Sequence, residues 1–225
     1  DLRLPDRDGW TVLDRLKRDA RTRHIPVHVI SALDSPQAAL SMGAVGYAVK
    51  PVAREQLVRA VEALKSAFSK EERKVLVVED DAVQRESVTH LLSGPGVTIV
   101  AVDSVERALA ELRQQTFDCI VTDLSFPEAS GYDLLETMAG DEGYAFPPVI
   151  VYTGRSLTAE EEQRLRRFSN SIIVKGARSP ERLLDEVTLF LHKVEGDMSS
   201  ERRRMLLAAR SRDKVFEGRR ILVVD

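Results

Sequence analysis

Short apolar runs of strand length alternate with helical patterns throughout residues 74–193, and this alternation constrains the fold more than any other feature. The five runs begin at Lys74, Val97, Cys119, Pro148 and Ser171. Continuous apolar runs are typical of strands covered on both faces, and their alternation with helices calls for a parallel sheet. Because crossovers are right-handed, few topologies remain. We predict a flavodoxin-like doubly wound (βα)5 sheet with strand order 2-1-3-4-5.

The rest of the chain repeats parts of the same pattern. Residues 1–68 read as loop, helix, strand, helix, strand and helix, with the strands at Ile25–Ile30 and Tyr47–Val49. This order corresponds to the C-terminal half of a domain like the one at 74–193. We refer to residues 1–68 as the first unit and to residues 74–193 as the middle unit.

The segments between and after these units differ in composition. Residues 69–73 are charged and are predicted to be a linker, and the polar residues 194–218 are predicted to contain a linker helix. Residues 219–225 are closely similar in sequence to Arg73–Glu79. We interpret them as the first strand of a further domain, so the sequence reads as an excerpt from a longer array.

An acidic motif occurs twice at strand ends. Asp123 directly follows the run Cys119–Thr122, with Pro127 four residues later and Gly131 four residues after that. The first unit carries the same offsets in Asp1, Pro5 and Gly9. A carboxylate in this position lies where open α/β sheets place their binding and catalytic groups.

All strands of a parallel sheet end at one edge, so their terminal residues should converge. In the middle unit these residues are Glu79, Asp80, Asp123, Thr153 and Lys175. Two like charges about 4 Å apart cost roughly 4 kcal/mol at an effective dielectric near 20, so the acids need a cation. Mg²⁺ held by the three carboxylates is the natural choice. With a lysine and a hydroxyl beside it, the set predicts phosphoryl transfer onto Asp123.

In this order and spacing the residues resemble the receiver domain of two-component response regulators. The resemblance implies that Asp123 is the phosphoacceptor, that Glu79 and Asp80 are the acidic pair, and that Thr153 and Lys175 bind the phosphoryl group. It further implies Mg²⁺ as cofactor and a phosphohistidine donor, either a histidine kinase or a histidine phosphotransfer domain.

The first unit carries matching positions. By the same resemblance, Asp1 is its phosphoacceptor, Ser31 and Lys50 are its hydroxyl and lysine, and Tyr47 is its switch aromatic. Ser31 lies thirty residues after Asp1, just as the middle unit's hydroxyl lies thirty residues after its aspartate. Tandem receivers joined by a charged helix resemble the C-terminal region of a hybrid histidine kinase, although the chain carries no kinase motif.

The middle unit departs from the receiver pattern in two places. Receivers usually have proline after the lysine, but Lys175 is followed by Gly176, and Ile172 stands where an aromatic residue is common. One alternative is therefore a non-phosphorylated pseudo-receiver that regulates partners through its helical faces. A flavin-binding module is a third hypothesis, disfavoured because the acidic residues 79–81 would repel a phosphate.

Composition excludes several other classes. A formal net charge of −3 gives no reason to expect nucleic acid as a partner. The single cysteine, Cys119, rules out a disulfide framework or a cysteine-based zinc site. No apolar stretch approaches the ~20 residues of a membrane helix, so we expect no membrane contact and a cytoplasmic location.

Overall fold

The computed structural model describes residues 1–69, 72–127, 129–141, 147–176, 179–193 and 198–211. In the first unit the elements are α1 (Gly9–Arg18), β1 (His28–Ser31), α2 (Pro36–Ser41), β2 (Gly46–Val49) and α3 (Arg54–Ser69). The two strands are parallel, with Val29 opposite Tyr47. The first unit thus has the predicted order of elements.

One predicted strand begins later than expected. Strand β1 starts at His28, whereas the apolar pattern predicts a strand from Ile25. The amide of Ile25 instead donates to the carbonyl of Thr22 over 2.9 Å and closes a turn. Pro26 has no N–H to offer a neighbouring strand. Local turn geometry therefore overrides the apolar pattern here.

In its described residues, the middle unit contains five strands and five helices. They are β3 (Arg73–Val78), α4 (Ala82–Leu92), β4 (Val97–Val102), α5 (Val105–Gln114), β5 (Cys119–Thr122), α6 (Gly131–Gly140), β6 (Val149–Thr153), α7 (Ala159–Leu165), β7 (Ser171–Val174) and α8 (Ser179–Phe190). The strands pair in the order β4-β3-β5-β6-β7, and every pairing is parallel. This is the predicted order 2-1-3-4-5, so the fold prediction is confirmed.

Two apolar layers cover the two faces of this sheet. Leu76 and Ile120 face one layer, in which Leu134 is fully buried. The alternate strand residues Val75 and Val77 face the other layer. Burial on both faces explains why the strands are continuous apolar runs. It also fixes the strand ends, and therefore the residues that follow them, at one edge.

The polar segment after the middle unit forms helix α9 (Ser200–Ser211), close to the predicted linker helix. Its Leu206 is fully buried in the layer on α4 and α8. The guanidinium of Arg202 donates to the carbonyl of Leu91 over 3.0 Å at the end of α4. The described part of the segment therefore packs on the middle unit. Residues 194–197 and 212–225, including the strand predicted at 219–225, lie outside the described residues.

The predicted linker at residues 69–73 overlaps the ends of two regular elements in the structure. Ser69 is the last residue of α3 and Arg73 is the first residue of β3, while residues 70 and 71 lie outside the described ranges. A second connection joins the units through Asp185 of α8. Its carboxylate lies 2.5 Å from the buried guanidinium of Arg23 and 2.7 Å from that of Arg210. Across the described ranges, no helix combines the length and the apolar composition needed to cross a bilayer.

Candidate functional site

The site residues of the middle unit continue the hydrogen-bond ladder of the sheet. The amide of Asp123 donates to the carbonyl of Val78 over 3.0 Å, directly beyond the paired residues of β3 and β5. The amide of Lys175 donates in the same way to the carbonyl of Thr153 over 2.7 Å. The backbone of each residue is therefore fixed by the strand that precedes it.

Lys175 joins the two buried carboxylates of this edge. Its ammonium nitrogen lies 2.6 Å from Oδ2 of Asp123 and 2.7 Å from Oε2 of Glu79. The side chains are little exposed, at 8% for Asp123, 4% for Glu79 and 16% for Lys175. The sequence predicted that these three residues meet, and the structure brings them into direct contact.

The carboxylate of Asp123 is held through both oxygens. While Oδ2 faces Lys175, Oδ1 accepts hydrogen bonds from the amides of Leu124 over 2.5 Å and Ser125 over 3.3 Å. Thr153, which is fully buried, lies close enough to this carboxylate to help lower its pKa. The orientation of the Asp123 carboxylate is thus fixed by contacts to both of its oxygens.

Burial and the attraction between the Lys175 ammonium and the two carboxylates determine the pKa shifts in this cluster. Burial alone would raise the pKa of Asp123, but hydrogen bonds from Lys175 and Thr153 outweigh it, so the pKa lies below its ordinary value. Burial, helped by the charges of Asp123 and Asp80, raises the pKa of Glu79 although the same lysine lowers it. Burial would lower the pKa of Lys175, but its hydrogen bonds to Asp123 and Glu79 raise the pKa overall. Asp123 is therefore ionised at neutral pH, as a nucleophile must be.

Asp80 differs from the other two acids because it is exposed at the rim. Its charge nevertheless contributes to the raised pKa of Glu79, so it lies within electrostatic range of the cluster. In the part of the chain that the structure describes, no three acidic, histidine or cysteine side chains are arranged to hold a metal ion. Glu79 and Asp123 do converge as oxygen donors, the type that Mg²⁺ prefers.

Two site residues were not predicted from the sequence. Gln84, in the first turn of α4, accepts a hydrogen bond from Lys175 over 2.6 Å. The guanidinium of Arg85 donates to the carbonyls of Glu79 over 2.7 Å and Asp80 over 3.0 Å. The sequence feature that could have predicted them is Asp81, whose side chain accepts from the amide of Gln84 and caps the start of the helix. Because this N-cap lies directly after the strand end, the first turn of α4 lies beside the site.

The first unit builds the same arrangement around Asp1. Oδ2 of Asp1 pairs with the ammonium of Lys50, and Oδ1 accepts from the amides of Leu2 over 2.7 Å and Arg3 over 3.3 Å. These contacts reproduce those of the middle-unit aspartate atom for atom. The Asp1 side chain is 29% exposed.

The hydroxyls and lysines of the two units also correspond. Ser31 is fully buried, and its Oγ accepts from the amide of Leu33 over 3.3 Å. Thr153 Oγ1 accepts from the amide of Arg155, also two residues on, over 3.4 Å. The amide of Lys50 donates to the carbonyl of Ser31 over 2.8 Å, as Lys175 does in the middle unit.

A glycine closes each aspartate loop. A Cβ atom on Gly131 would lie 2.3 Å from the carbonyl oxygen of Asp123, and one on Gly9 would lie 2.5 Å from that of Asp1. No real Cβ atom sits this close to a carbonyl oxygen. The repeated aspartate-to-glycine spacing therefore has a steric cause, because the helix after the loop starts against the backbone of the aspartate.

The two units differ at the residue three positions before the lysine and at the residue that follows it. Tyr47 is half-buried, and its hydroxyl donates to the carbonyl of Leu33. Ile172 occupies the corresponding place in the middle unit and packs against the apolar layer. The peptide bond between Lys50 and Pro51 is cis.

The doubly wound sheet, with an aspartate, a lysine, a hydroxyl and acidic neighbours at one edge, defines a class of small α/β signalling domains that accept phosphoryl groups. The family of the response regulator receiver domain matches residues 1–62 and 75–188. The chain belongs to this family, and it is a receiver module of two-component signalling.

Several curated relatives match about half of the chain. The chemotaxis protein CheY of Pseudomonas aeruginosa is 31% identical over 103 residues, which cover 45% of this chain and 83% of CheY. The response regulator FleR of the same organism is 32% identical over 102 residues, covering 45% of this chain and 21% of FleR. The hybrid signal transduction histidine kinase D of Dictyostelium discoideum is 33% identical over 98 residues, 44% of this chain and 6% of that protein.

Among solved structures, the chemotaxis response regulator CheY4 of Vibrio cholerae is similar to this chain. It is 26% identical, with a TM-score of 0.47, and the match covers 53% of this chain and 98% of CheY4. The phosphorylated phytochrome response regulator RcpA matches at 23% identity with the same TM-score, over 53% of this chain and 94% of RcpA.

Proposed function

We propose that Asp123 is the phosphoacceptor of the middle unit and receives a phosphoryl group from a phosphohistidine. The observation that carries this proposal is the contact of the Lys175 ammonium with Asp123 Oδ2 at 2.6 Å, inside a buried cluster. A lysine in this position can neutralise the oxygens of an incoming phosphoryl group. The lowered pKa of Asp123 keeps its carboxylate ionised and therefore nucleophilic.

The transfer follows from these groups. An oxygen of the Asp123 carboxylate attacks the phosphorus, and the P–N bond of the donor breaks, with its electron pair going to the imidazole nitrogen. Lys175 then shifts from the aspartate to an oxygen of the bound phosphoryl group, while the buried Thr153 hydroxyl donates to another. Glu79, already 2.7 Å from Lys175, keeps the lysine at the edge of the sheet during this shift.

The acids at the strand ends fit a divalent cation chemically, because Glu79 and Asp123 converge as oxygen donors and Asp80 lies within electrostatic range. We propose that Glu79, Asp80 and Asp123 hold Mg²⁺. When bound, Mg²⁺ supplies charge neutralisation for the phosphoryl oxygens. Lys175 meanwhile prevents the repulsion that two buried carboxylates would otherwise exert on each other.

We propose the same role for Asp1, with Ser31 and Lys50 as its phosphoryl-binding residues and Tyr47 as its switch aromatic. The repeated contacts of Asp1 and its lysine support this extension. On this proposal the chain contains receiver domains in tandem, with residues 1–68 as the C-terminal half of one and 219–225 as the first strand of another.

The matches to CheY and to a hybrid histidine kinase support placing the chain within a phosphorelay. We propose that the parent protein is a hybrid histidine kinase, that the donor is a histidine kinase or histidine phosphotransfer domain, and that the protein acts in the cytoplasm. Neighbouring receivers are the expected partners, and no nucleic acid is expected at this net charge of −3.

The test is the intact mass of the protein after incubation with acetyl phosphate, with and without Mg²⁺. The wild type, Asp123→Asn, Asp1→Asn and the double variant are compared. A Mg²⁺-dependent phosphate adduct that Asp123→Asn loses, while Asp1→Asn retains it, supports the proposal for the middle unit. A folded wild-type protein that takes up no phosphate would contradict it and would favour a pseudo-receiver.

A further inference from the structure

The backbone that follows Lys175 is not restrained in the way the first unit restrains its own lysine. Gly176 stands where the first unit has Pro51, so the middle unit has no ring at this position. Among the described residues, no heavy atom beyond its chain neighbours lies within 4 Å of where a Cβ of Gly176 would be. Glycine is the residue with the greatest backbone freedom, so something else must hold this position if the lysine is to stay in place.

Ser179, the first residue of α8, makes that restraint. Its hydroxyl oxygen accepts from the amide of Gly176 over 3.0 Å and lies 2.9 Å from the carbonyl oxygen of Gly176. The amide of Ser179 also donates to this carbonyl over 3.0 Å. Both backbone groups of the glycine are therefore bound to one serine.

Tyr152 completes the arrangement from the neighbouring strand. Its hydroxyl lies 2.8 Å from the hydroxyl of Ser179. A serine hydroxyl has one proton and two lone pairs. If Ser179 donates to the carbonyl of Gly176, it can accept from both the Gly176 amide and the Tyr152 hydroxyl, so every group in the chain of bonds is satisfied. Tyr152 is 8% exposed and Ser179 is 5% exposed, so water competes little for these bonds.

The position of Tyr152 links this chain of bonds to the site. Tyr152 directly precedes Thr153 in β6, and the Lys175 ammonium lies 5.4 Å from the centre of the tyrosine ring. This distance is within the range of a cation–π contact. One side chain therefore contacts the lysine through its ring and reaches the backbone after the lysine through its hydroxyl.

The first unit has neither hydroxyl in this arrangement. The residue before its Ser31 is Ile30, and Arg54, the first residue of α3 and three residues after Pro51, stands where the middle unit has Ser179. The tyrosine and serine thus occur in the unit that lacks the proline.

We propose that Tyr152 and Ser179 are positioning residues that hold Lys175 in place for phosphoryl transfer to Asp123, in the role that proline fills in the first unit. This proposal rests on the proposed function of Asp123 and assigns the means by which its lysine is oriented. Neither residue touches the phosphoryl group, so both act through Lys175. Removing either hydroxyl should leave the ring and the fold but loosen the lysine.

The test compares Tyr152→Phe and Ser179→Ala with the wild type, using acetyl phosphate with Mg²⁺ and intact mass as the readout. We expect each variant to be phosphorylated about three- to tenfold more slowly, the range expected for one lost hydrogen bond. The matched control is Thr188→Val, which removes another buried hydroxyl of α8 that donates to the carbonyl of Leu184. It should phosphorylate at the wild-type rate.

To distinguish a positioning role from a purely structural one, both substitutions are repeated in a Lys175→Ala background. If the two residues act through the lysine, the substitutions should not slow phosphorylation any further in that background. Wild-type rates in both single variants, or an equal loss in the Lys175→Ala background, would overturn the proposal.

A second readout does not depend on phosphorylation. Acetic anhydride under native conditions labels lysines according to their accessibility and freedom, and peptide masses report the labelling rate of Lys175. We expect Tyr152→Phe and Ser179→Ala to be labelled several-fold faster at Lys175, with Lys65 unchanged as the internal reference. An unchanged rate at Lys175 contradicts the positioning role, whereas an unphosphorylated wild type contradicts only the proposed function of Asp123.

Discussion

The ammonium of Lys175 lies 2.6 Å from Oδ2 of Asp123, and residues at the ends of two different strands, β5 and β7, form this pair. Lys50 and Asp1 form the same pair in the first unit. The Asp123 side chain is only 8% exposed. This pair is therefore largely desolvated, and the attraction between the ammonium and the carboxylate is strong there.

Replacing Lys175 with alanine should lower the free energy of unfolding at pH 7 by about 3 kcal/mol, because it leaves Glu79 and Asp123 buried without a cation. The lowered pKa of Asp123 stabilises the wild type above the ordinary carboxyl pKa of 3.8, and this contribution is lost as the pH falls through the folded-state pKa. The difference between variant and wild type should therefore shrink in acid.

Urea denaturation at pH 7 and at pH 3, in buffer with a chelator, measures this difference. The exposed Lys65→Ala serves as the control and should change the unfolding free energy by less than about 0.5 kcal/mol at either pH. An equal effect of Lys175→Ala at both pH values would show that the lysine stabilises the fold by packing and not by charge.

Substituting Gly131 with alanine should distort the aspartate loop. The new methyl group would lie 2.3 Å from the carbonyl oxygen of Asp123 and 2.9 Å from Cα of Leu124, and backbone atoms cannot move aside cheaply. We expect a loss of about 1–3 kcal/mol in unfolding free energy, together with slower phosphorylation by acetyl phosphate. Gly140→Ala is the matched control, because no atom of the residues that the structure describes, apart from its own helix backbone and chain neighbours, lies within 4 Å of its new methyl group. Equal behaviour of the two variants would contradict the steric account.

The docking of α9 can be tested with two adjacent leucines. Leu206 is fully buried against the middle unit, whereas Leu207 is 61% exposed. We expect Leu206→Ala to lower the unfolding free energy by about 2–4 kcal/mol and Leu207→Ala by less than about 0.5 kcal/mol. Urea denaturation of the whole chain measures both, and similar small effects would mean that α9 is not packed there in solution.

The carboxyl group of Glu186 in α8 should make stability depend on pH near neutrality. Burial, followed by the charge of Asp185, raises its pKa from 4.5 to about 7. In the unfolded chain it loses its proton at lower pH, so its contribution to the unfolding free energy falls as the pH rises from 4.5 to 7.

Glu186→Gln should remove this slope and raise the unfolding free energy at pH 8, by an amount on the order of 1–3 kcal/mol. Denaturation midpoints at pH 5 and pH 8 measure the change, with the exposed Glu160→Gln as control. If the difference in unfolding free energy between Glu186→Gln and the wild type were the same at pH 8 as at pH 5, Glu186 would ionise as readily in the folded protein as in water.

The fold and the main site residues could be predicted because the apolar runs reveal the strands and the strand ends locate the site. Continuous apolar runs such as Lys74–Val78 identify buried parallel strands, and parallel strands bring their last residues to one edge. Glu79, Asp123 and Lys175 were therefore expected together before their contacts were known. The glycine at each loop follows from the repeated spacing, but the spacing alone does not reveal that the glycine is needed for steric reasons.

The contacts that were not predicted depend on side-chain direction across elements distant in the sequence. Gln84 reaches Lys175 across ninety-one residues, and no periodicity within α4 indicates which residue of its first turn faces the site. The hydroxyl contact of Tyr152 with Ser179 likewise joins strand β6 to helix α8, twenty-seven residues away. The packing of helix α9 on the middle unit was not predicted either, because the buried Leu206 lies in a mostly polar segment.

The most direct test of the account is chemical mapping of the phosphorylated residue. After incubation with acetyl phosphate and Mg²⁺, borohydride reduces an aspartyl phosphate to homoserine, and peptide sequencing by mass spectrometry locates the changed residue. The account predicts homoserine at position 123, dependent on Mg²⁺ and absent from Asp123→Asn. Phosphate on a folded protein at any other residue of the middle unit, or none at position 123, would contradict it.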